Sequence, residues 1–283
     1  LLSDENITIE NVPDIKDVNL LIDLLDGMGV DVKKVDSTTY KFTSDSIDVD
    51  YTKSKDFFEK SSKIRGSIML MGPLVARFGN AYLAKPGGDK IGRRRVDTHF
   101  IGIQELGAKF TLENNNTLFK VSANKLKGKD ILLDEASVTG TANVLMASVL
   151  AEGKTTIYNA ACEPYIQQLC SMINQMGGNV TGIGSNSLTI YGVKNLKGCT
   201  HKIDPDIIEI GSWIGLAALT QSEITIKGVN FKYLEQILNV FSKLGLSFET
   251  SGNDLKIPAH TNGYEIQNYI DGSILTISDG PWP

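Results

Sequence analysis

A hydrophobic helix pattern ending in Met-Gly or Leu-Gly recurs four times along this chain, at Gly29, Gly107, Gly177 and Gly245. The spacings of 78, 70 and 68 residues are too long for a solenoid period and suit a small supersecondary module. Each glycine closes a segment with apolar residues at i, i+3 and i+4: "DVNLLIDLLDGMG", "VDTHFIGIQELG", "YIQQLCSMINQMG" and "YLEQILNVFSKLG". That pattern predicts a helix with one face on a core, ended by a residue that tolerates the left-handed cap conformation. After each glycine the sequence alternates through a strand, a polar turn and a second strand, as in "AKFTLENNNTLFKVSA", "GNVTGIGSNSLTIYGV" and "LSFETSGNDLKIPA". Three of the helices follow a short β-branched strand, "ITIENV", "TTIYNA" or "ITIKGV", and the last two of these strands follow a further helix, "ASVTGTANVLMASVLAEG" or "IIEIGSWIGLAALTQSE". The predicted unit is therefore helix, strand, helix, strand, turn, strand, which gives an α/β fold of repeated βαβ-type units of about 70 residues.

Against that template "LLSDENITIENV" aligns with the end of a helix whose body is absent, the chain does not begin with Met, and it stops on Pro-Trp-Pro. The expectation is an internal piece of a longer protein, truncated at both ends. The best candidate boundary is "KIDPDIIEIG", where two acids bracket Pro205, dividing the chain into domains 1–204 and 205–283.

Charge and cysteine usage exclude several classes of function. A net charge of −5 and a pI near 5.3 argue against a general nucleic-acid binder, so any anion must be met locally. Cys162, Cys170 and Cys199 are an odd count without metal-type spacing, as expected of free structural thiols in a reducing compartment. No apolar run approaches the ~18 to 20 residues of a membrane span, and no secretory leader pattern opens the chain. A cytoplasmic location and no membrane partner are expected. "EGKTT" carries the Gly-Lys-Thr of a phosphate-binding loop, but Ser148 stands where that loop needs its first glycine. His99, His201 and His260 lie far apart without ligand spacing, so no metal is expected.

The stretch that carries chemistry is "AYLAKPGGDKIGRRRVDTHF", residues 81–100. Gly87 and Gly88 after Pro86 allow backbone N–H groups to approach a ligand. Arg93, Arg94 and Arg95 beside such a turn, in an otherwise acidic chain, suit a small doubly charged anion through the guanidinium fork. Nearby arginines lower the pKa of Asp89, whereas burial and a bound anion raise it, so its proton can arrive with the substrate. That behaviour fits a general acid.

From Arg65 to Phe110, "RGSIMLMGPLVARFGNAYLAKPGGDKIGRRRVDTHFIGIQELGAKF" strongly resembles the UDP-N-acetylglucosamine 1-carboxyvinyltransferases, an enolpyruvyl transferase family. "NITIENVPDIKDVNLLIDLLDGMG", "LDEASVTGTANVLMASVLAEGKTTIYNAACEP" and "DPDIIEIGSWIGLAAL" extend the resemblance over essentially the whole chain. It implies an inside-out α/β barrel, with helices inside and sheets outside, in two domains of three units each around a cleft. The implied reaction moves enolpyruvyl from phosphoenolpyruvate to the sugar 3-hydroxyl of UDP-N-acetylglucosamine and releases phosphate, the first committed step of peptidoglycan synthesis. No cofactor is implied.

By the same resemblance Asp89 is the acid, standing where the family usually has a cysteine that the epoxide fosfomycin alkylates. A carboxylate is a far poorer nucleophile than a thiolate, so insensitivity to fosfomycin is expected. Arg94 matches the arginine on the phosphoenolpyruvate phosphate, and Arg65 another active-site arginine. Arg95, Val96, Asp97, Thr98 and His99 occupy the segment along the uridine and diphosphate, with Arg95 where proline is common. Ser137 and Val138 match the other nucleotide-contacting loop, in which Glu135 and Thr139 replace a lysine and a glycine. Glu163 and Asp206 match acids at the domain junction. The family's Lys-Asn pair would precede Leu1, and its base aspartate would follow Pro283. Residues 86–94 are expected to close as a lid over the bound nucleotide. Two other readings stay open: a non-catalytic sugar-nucleotide binding protein on the same fold, and an enolpyruvyl transferase with another acceptor.

Overall fold

The structure, a computed structural model, describes residues 1–85, 87, 95–113 and 118–277. Leu1–Ile203 form one compact unit and the chain from Asp204 a second. The first module contains β1 (Ile7–Glu10), α1 (Lys16–Gly27), β2 (Asp31–Lys34) and β3 (Tyr40–Thr43), followed by α2 (Lys55–Ser61). The second runs through α3 (Met71–Phe78), β4 (Asn80–Ala84), α4 (Asp97–Glu105), β5 (Lys109–Glu113) and β6 (Leu118–Ser122). After β7 (Asp130–Leu132) the third holds α5 (Val138–Ser148), β8 (Lys154–Tyr158), α6 (Pro164–Gln175), β9 (Asn179–Thr181) and β10 (Ser187–Tyr191), with β11 (Cys199–Lys202) behind it. The second unit contains α7 (Ile207–Thr220), β12 (Ile224–Ile226), α8 (Glu235–Lys243), β13 (Glu249–Ser251) and β14 (Asp254–Ile257).

Every module repeats one sheet plan: its first strand pairs with its third and the third with its second, all antiparallel. Two parallel strands join modules of the first unit. β7 pairs with β8 through Ile131 and Ile157, and β11 pairs with β1 through Cys199 and Ile7, returning the end of the unit to its start. Gly29, Gly107, Gly177 and Gly245 adopt φ of 91, 98, 89 and 94°, the left-handed geometry that ends each helix and turns it into the hairpin.

Three strands are missing from the sequence reading, β4, β7 and β11. In β4, Asn-Ala-Tyr-Leu-Ala holds no β-branched residue and only Tyr82 favours a strand, so local propensity gives it a weak signal. Pairing with β6 from Asn80↔Ser122 to Ala84↔Leu118 makes the strand.

Helices lie inside the first unit and sheets outside. α5 is buried from Gly140 to Leu145 and again at Ala147 and Ser148, and it packs on α3, α4 and α6. On the outer layer β10 buries Leu188 and Ile190 and leaves Tyr191 46% exposed, the alternation of a sheet with one wet face. α4 departs from the one-sided helix its sequence suggested, since Thr98, His99, Phe100, Gly102 and Ile103 are all buried. It is held between two partners: Gly102 faces the Val144 side chain of α5, and Phe100 stacks 4.4 Å from Phe110 and 4.8 Å from Phe119 of the hairpin. "KTT" of the rejected phosphate-loop match lies in β8, not at a helix start. Among the described residues no helix is long and apolar enough to cross a membrane.

Candidate functional site

Two helix N-termini meet in the first unit. A Cβ on Gly140 would stand 2.9 Å from Thr98 Cγ2, and Gly102 faces Val144 one turn further along both helices. α4 and α5 therefore run side by side with their first turns at one end. Ser137 Oγ caps α5 by accepting from the Gly140 N–H at 3.2 Å, and the Val96 carbonyl accepts from the His99 N–H at the start of α4. Uncapped N–H groups and the aligned peptide dipoles give such an end a partial positive charge. A third helix start lies close by, because the Ala161 N–H donates to Thr141 Oγ1 at 2.9 Å just ahead of Glu163 and α6.

Charged side chains converge on the same end. Arg65 Nη2 donates to the Arg95 carbonyl at 2.7 Å. Arg95 in turn holds Asp97 Oδ2 at 3.0 Å through Nε and Asp134 Oδ2 at 2.6 Å through Nη2. Thr98 Oγ1 lies 2.9 Å from Asp134 Oδ1 and 3.0 Å from Glu135 Oε1. The Thr98 hydroxyl, and then Arg95, keep the Asp134 carboxyl below the usual carboxylate range. Arg95 thus ties the segment entering α4 to the loop entering α5. It is a partly exposed guanidinium with two carboxylate partners, and the exchange of one of them for a ligand anion costs little.

Beneath this layer sits His99, 1% exposed. Its Nδ1 lies 2.7 Å from Asn143 Nδ2, and its Nε2 lies 3.2 Å from Thr139 Oγ1. Burial, and secondarily the positive charge of Arg65, push the imidazole down to about 4. Asn143 also donates to the Ile68 carbonyl and accepts from the Gly72 N–H, both at 2.9 Å, and so joins α5 to the turn that carries Arg65.

Arg65, Arg95, Val96, Asp97, Thr98, His99, Ser137 and Val138 are thus gathered at one end of the first unit. Thr98 and His99 turn their side chains inward, each 1% exposed. Glu163 stands at the start of α6, and its Oε2 is buried without a hydrogen-bond partner among the described residues. Asp206 belongs to the second unit, where its Oδ1 accepts from the Ile208 and Glu209 N–H groups and caps α7. Asp89 and Arg94 lie outside the described residues. Gly87 is described, and its value is proximity: a Cβ there would collide with the Ser62 carbonyl, which anchors the start of the loop near Arg65.

Sequence reasoning passed over Asp134, Asn143 and the bond to Thr139. Asn143 carried a usable signal, an amide inside the apolar run "TANVLMASVL", where an unpartnered polar group is costly. Cys170, fully buried and raised to about 12 by burial, is an inert thiol as expected. Among the described residues no cluster of His, Cys, Asp and Glu has the geometry to hold a metal ion.

Comparison with known proteins adds an independent line. The family model described as EPSP synthase (3-phosphoshikimate 1-carboxyvinyltransferase) matches residues 1–273. The UDP-N-acetylglucosamine 1-carboxyvinyltransferase of Bacteroides fragilis is 56% identical over 283 residues, covering 100% of this chain and 65% of the relative. That of Treponema pallidum is 43% identical over 283 residues with the same coverage. The chain spans 65% of the length of these curated relatives. Among solved structures the enolpyruvyl transferase NikO from Streptomyces tendae aligns with a TM-score of 0.75 at 18% identity, over 92% of this chain and 61% of that one. An EPSP synthase from Acinetobacter baumannii aligns at 0.69 and 15%, over 91% and 60%. These two likenesses establish a shared fold.

Proposed function

This chain belongs to the EPSP synthase family, and on that premise we propose that it is part of an enzyme that transfers enolpyruvyl from phosphoenolpyruvate to the 3-hydroxyl of UDP-N-acetylglucosamine with release of phosphate. The observation that carries the reading is the paired start of α4 and α5 with Arg65 and Arg95 at its rim. Backbone N–H groups and two guanidinium groups there suit the diphosphate of a sugar nucleotide. The 56% identity to a relative bearing that activity in its name favours this acceptor over 3-phosphoshikimate.

In this reading Asp89 gives its proton to the methylene carbon of phosphoenolpyruvate while the sugar oxygen, losing its own proton to a base, bonds to the adjacent carbon. The resulting tetrahedral adduct then loses a proton from the new methyl group and expels phosphate, which restores the double bond. Arg94 holds the phosphate through both steps and stabilises the charge that develops on departure. Val96, Asp97, Ser137 and Val138 bind the nucleotide, Thr98 and His99 support them from below, and the loop of residues 86–94 closes over the reacting atoms. Asp206 caps α7, and Glu163, whose carboxylate makes no cap bond, takes a structural role at the start of α6. The substrates are small molecules, and the setting is the cytoplasm, where phosphoenolpyruvate and nucleotide sugars are made.

Phosphate release by the full-length protein tests the acceptor. With phosphoenolpyruvate, release is expected on adding UDP-N-acetylglucosamine and absent with 3-phosphoshikimate. Release with 3-phosphoshikimate instead would reassign the acceptor. Tight nucleotide binding with no release under any condition would reduce the protein to a binding module.

A further inference from the structure

The hydrogen-bond partners of Asn143 determine where the proton of His99 sits. Its amide orientation is fixed by two backbone groups of opposite polarity, since Oδ1 accepts from the Gly72 N–H and Nδ2 donates to the Ile68 carbonyl, each at 2.9 Å. A flipped amide would put donor against donor and acceptor against acceptor. The second N–H of Nδ2 is then aimed at His99 Nδ1, 2.7 Å away, so Nδ1 must accept. The ring proton is left on Nε2, which faces Thr139 Oγ1 at 3.2 Å. Thr139 Oγ1 is the acceptor of that bond, and its own hydroxyl proton is free to point elsewhere. Among the described residues no second partner of this hydroxyl is present, and Thr139 is partly exposed in the first turn of α5.

We propose that Asn143, acting through the neutral His99, presents the Thr139 hydroxyl as a hydrogen-bond donor to the anionic substrate at the start of α5. The inference rests on the functional reading above and deepens it: Thr139 is a binding residue, and Asn143 and His99 are positioning residues. A ring proton on Nδ1 would invert the chain of bonds, because Thr139 would then give its proton to Nε2 and turn lone pairs toward the ligand. Two negative groups already flank the site at Asp134 and Glu135, so the polarity of this one hydroxyl bears directly on whether an anion is accepted.

Two measurements on the full-length protein test it. Long-range nitrogen–proton spectra of protein labelled in its histidines should show His99 neutral with its proton on Nε2, and a proton on Nδ1 would overturn the proposal. Calorimetric titration with UDP-N-acetylglucosamine should show Thr139→Ser binding within about threefold of the unaltered protein and Thr139→Val roughly tenfold more weakly, the loss of one hydrogen bond to a charged group. Asn143→Asp, which accepts from Nδ1 instead of donating, should move the proton to Nδ1 and weaken binding as Thr139→Val does, with no further loss in the double variant. Equal binding by Thr139→Val and the unaltered protein would overturn the inference and leave the functional reading standing. Failure of the unaltered protein to bind the nucleotide would remove both. The histidine spectrum and the Ser and Val pair decide the matter even where Asn143→Asp does not fold.

Discussion

His99 links stability to pH at the scale of one residue. Folded, its imidazole is held near 4, whereas in the unfolded chain it titrates near its ordinary 6.5. Between those values the unfolded state binds a proton that the folded state refuses, so stability is fully present above about pH 6.5 and falls as pH drops towards 4. From pH 7 to pH 5 the expected loss is roughly 2 kcal/mol, at ~1.4 kcal/mol per unit. Urea midpoints at the two pH values, compared with those of His99→Gln, check it: the variant should lose clearly less, and identical pH slopes would contradict the burial of a neutral ring. A second prediction concerns Asp89. Activity is expected to survive fosfomycin, while Asp89→Cys should become subject to time-dependent inactivation by it, since a thiolate opens the epoxide far faster than a carboxylate. Inactivation of the unaltered protein would contradict the assignment. Residues of this kind were unevenly legible. Arg95 and Asp97 stand in a stretch, residues 81–100, whose residue types announce an anion site, whereas Arg65 was reached only through the family resemblance. Asn143 gains its role from partners 44, 75 and 71 residues away, at His99, Ile68 and Gly72, which no local pattern encodes.

At the scale of elements, close helix packing is what brings the two N-termini together. Gly102 faces the Val144 side chain and Gly140 faces Thr98, so both glycines are required by the approach of α4 to α5. Gly102→Ala should force the helices apart at a cost of about 1 to 3 kcal/mol, with a lower thermal midpoint and weaker nucleotide binding. Pairing it with Val144→Ala, which removes the opposing methyls, should recover part of both. A Gly102→Ala protein with unchanged midpoint would show that the helices are not in contact there. Helix ends and hairpins were readable because each glycine marks a left-handed turn and each hairpin alternates, signals confined to a few residues. β4 was not, because its partner β6 supplies the reason for its extended form. The burial of α4 on nearly every side was also hidden, since its second partner is a hairpin that follows it.

At the scale of the molecule, the recurrence of one module accounts for the architecture: among the described residues four sheets share one strand plan, and the parallel pairs β7–β8 and β11–β1 join modules of the first unit. Such a scaffold places helix starts from consecutive modules side by side, which gives a chain with net charge −5 a local region of partial positive charge, as the proposed anion site requires. The family identity was legible from the motif stretch 65–110, and the proposed chemistry assigns the acid role to Asp89. The most direct test is single-turnover phosphate release by the full-length protein with both substrates, beside Asp89→Asn. The account predicts release by the unaltered protein and a loss of at least a hundredfold in the variant with nucleotide affinity retained, as expected when a general acid is removed. Undiminished release by Asp89→Asn would contradict it.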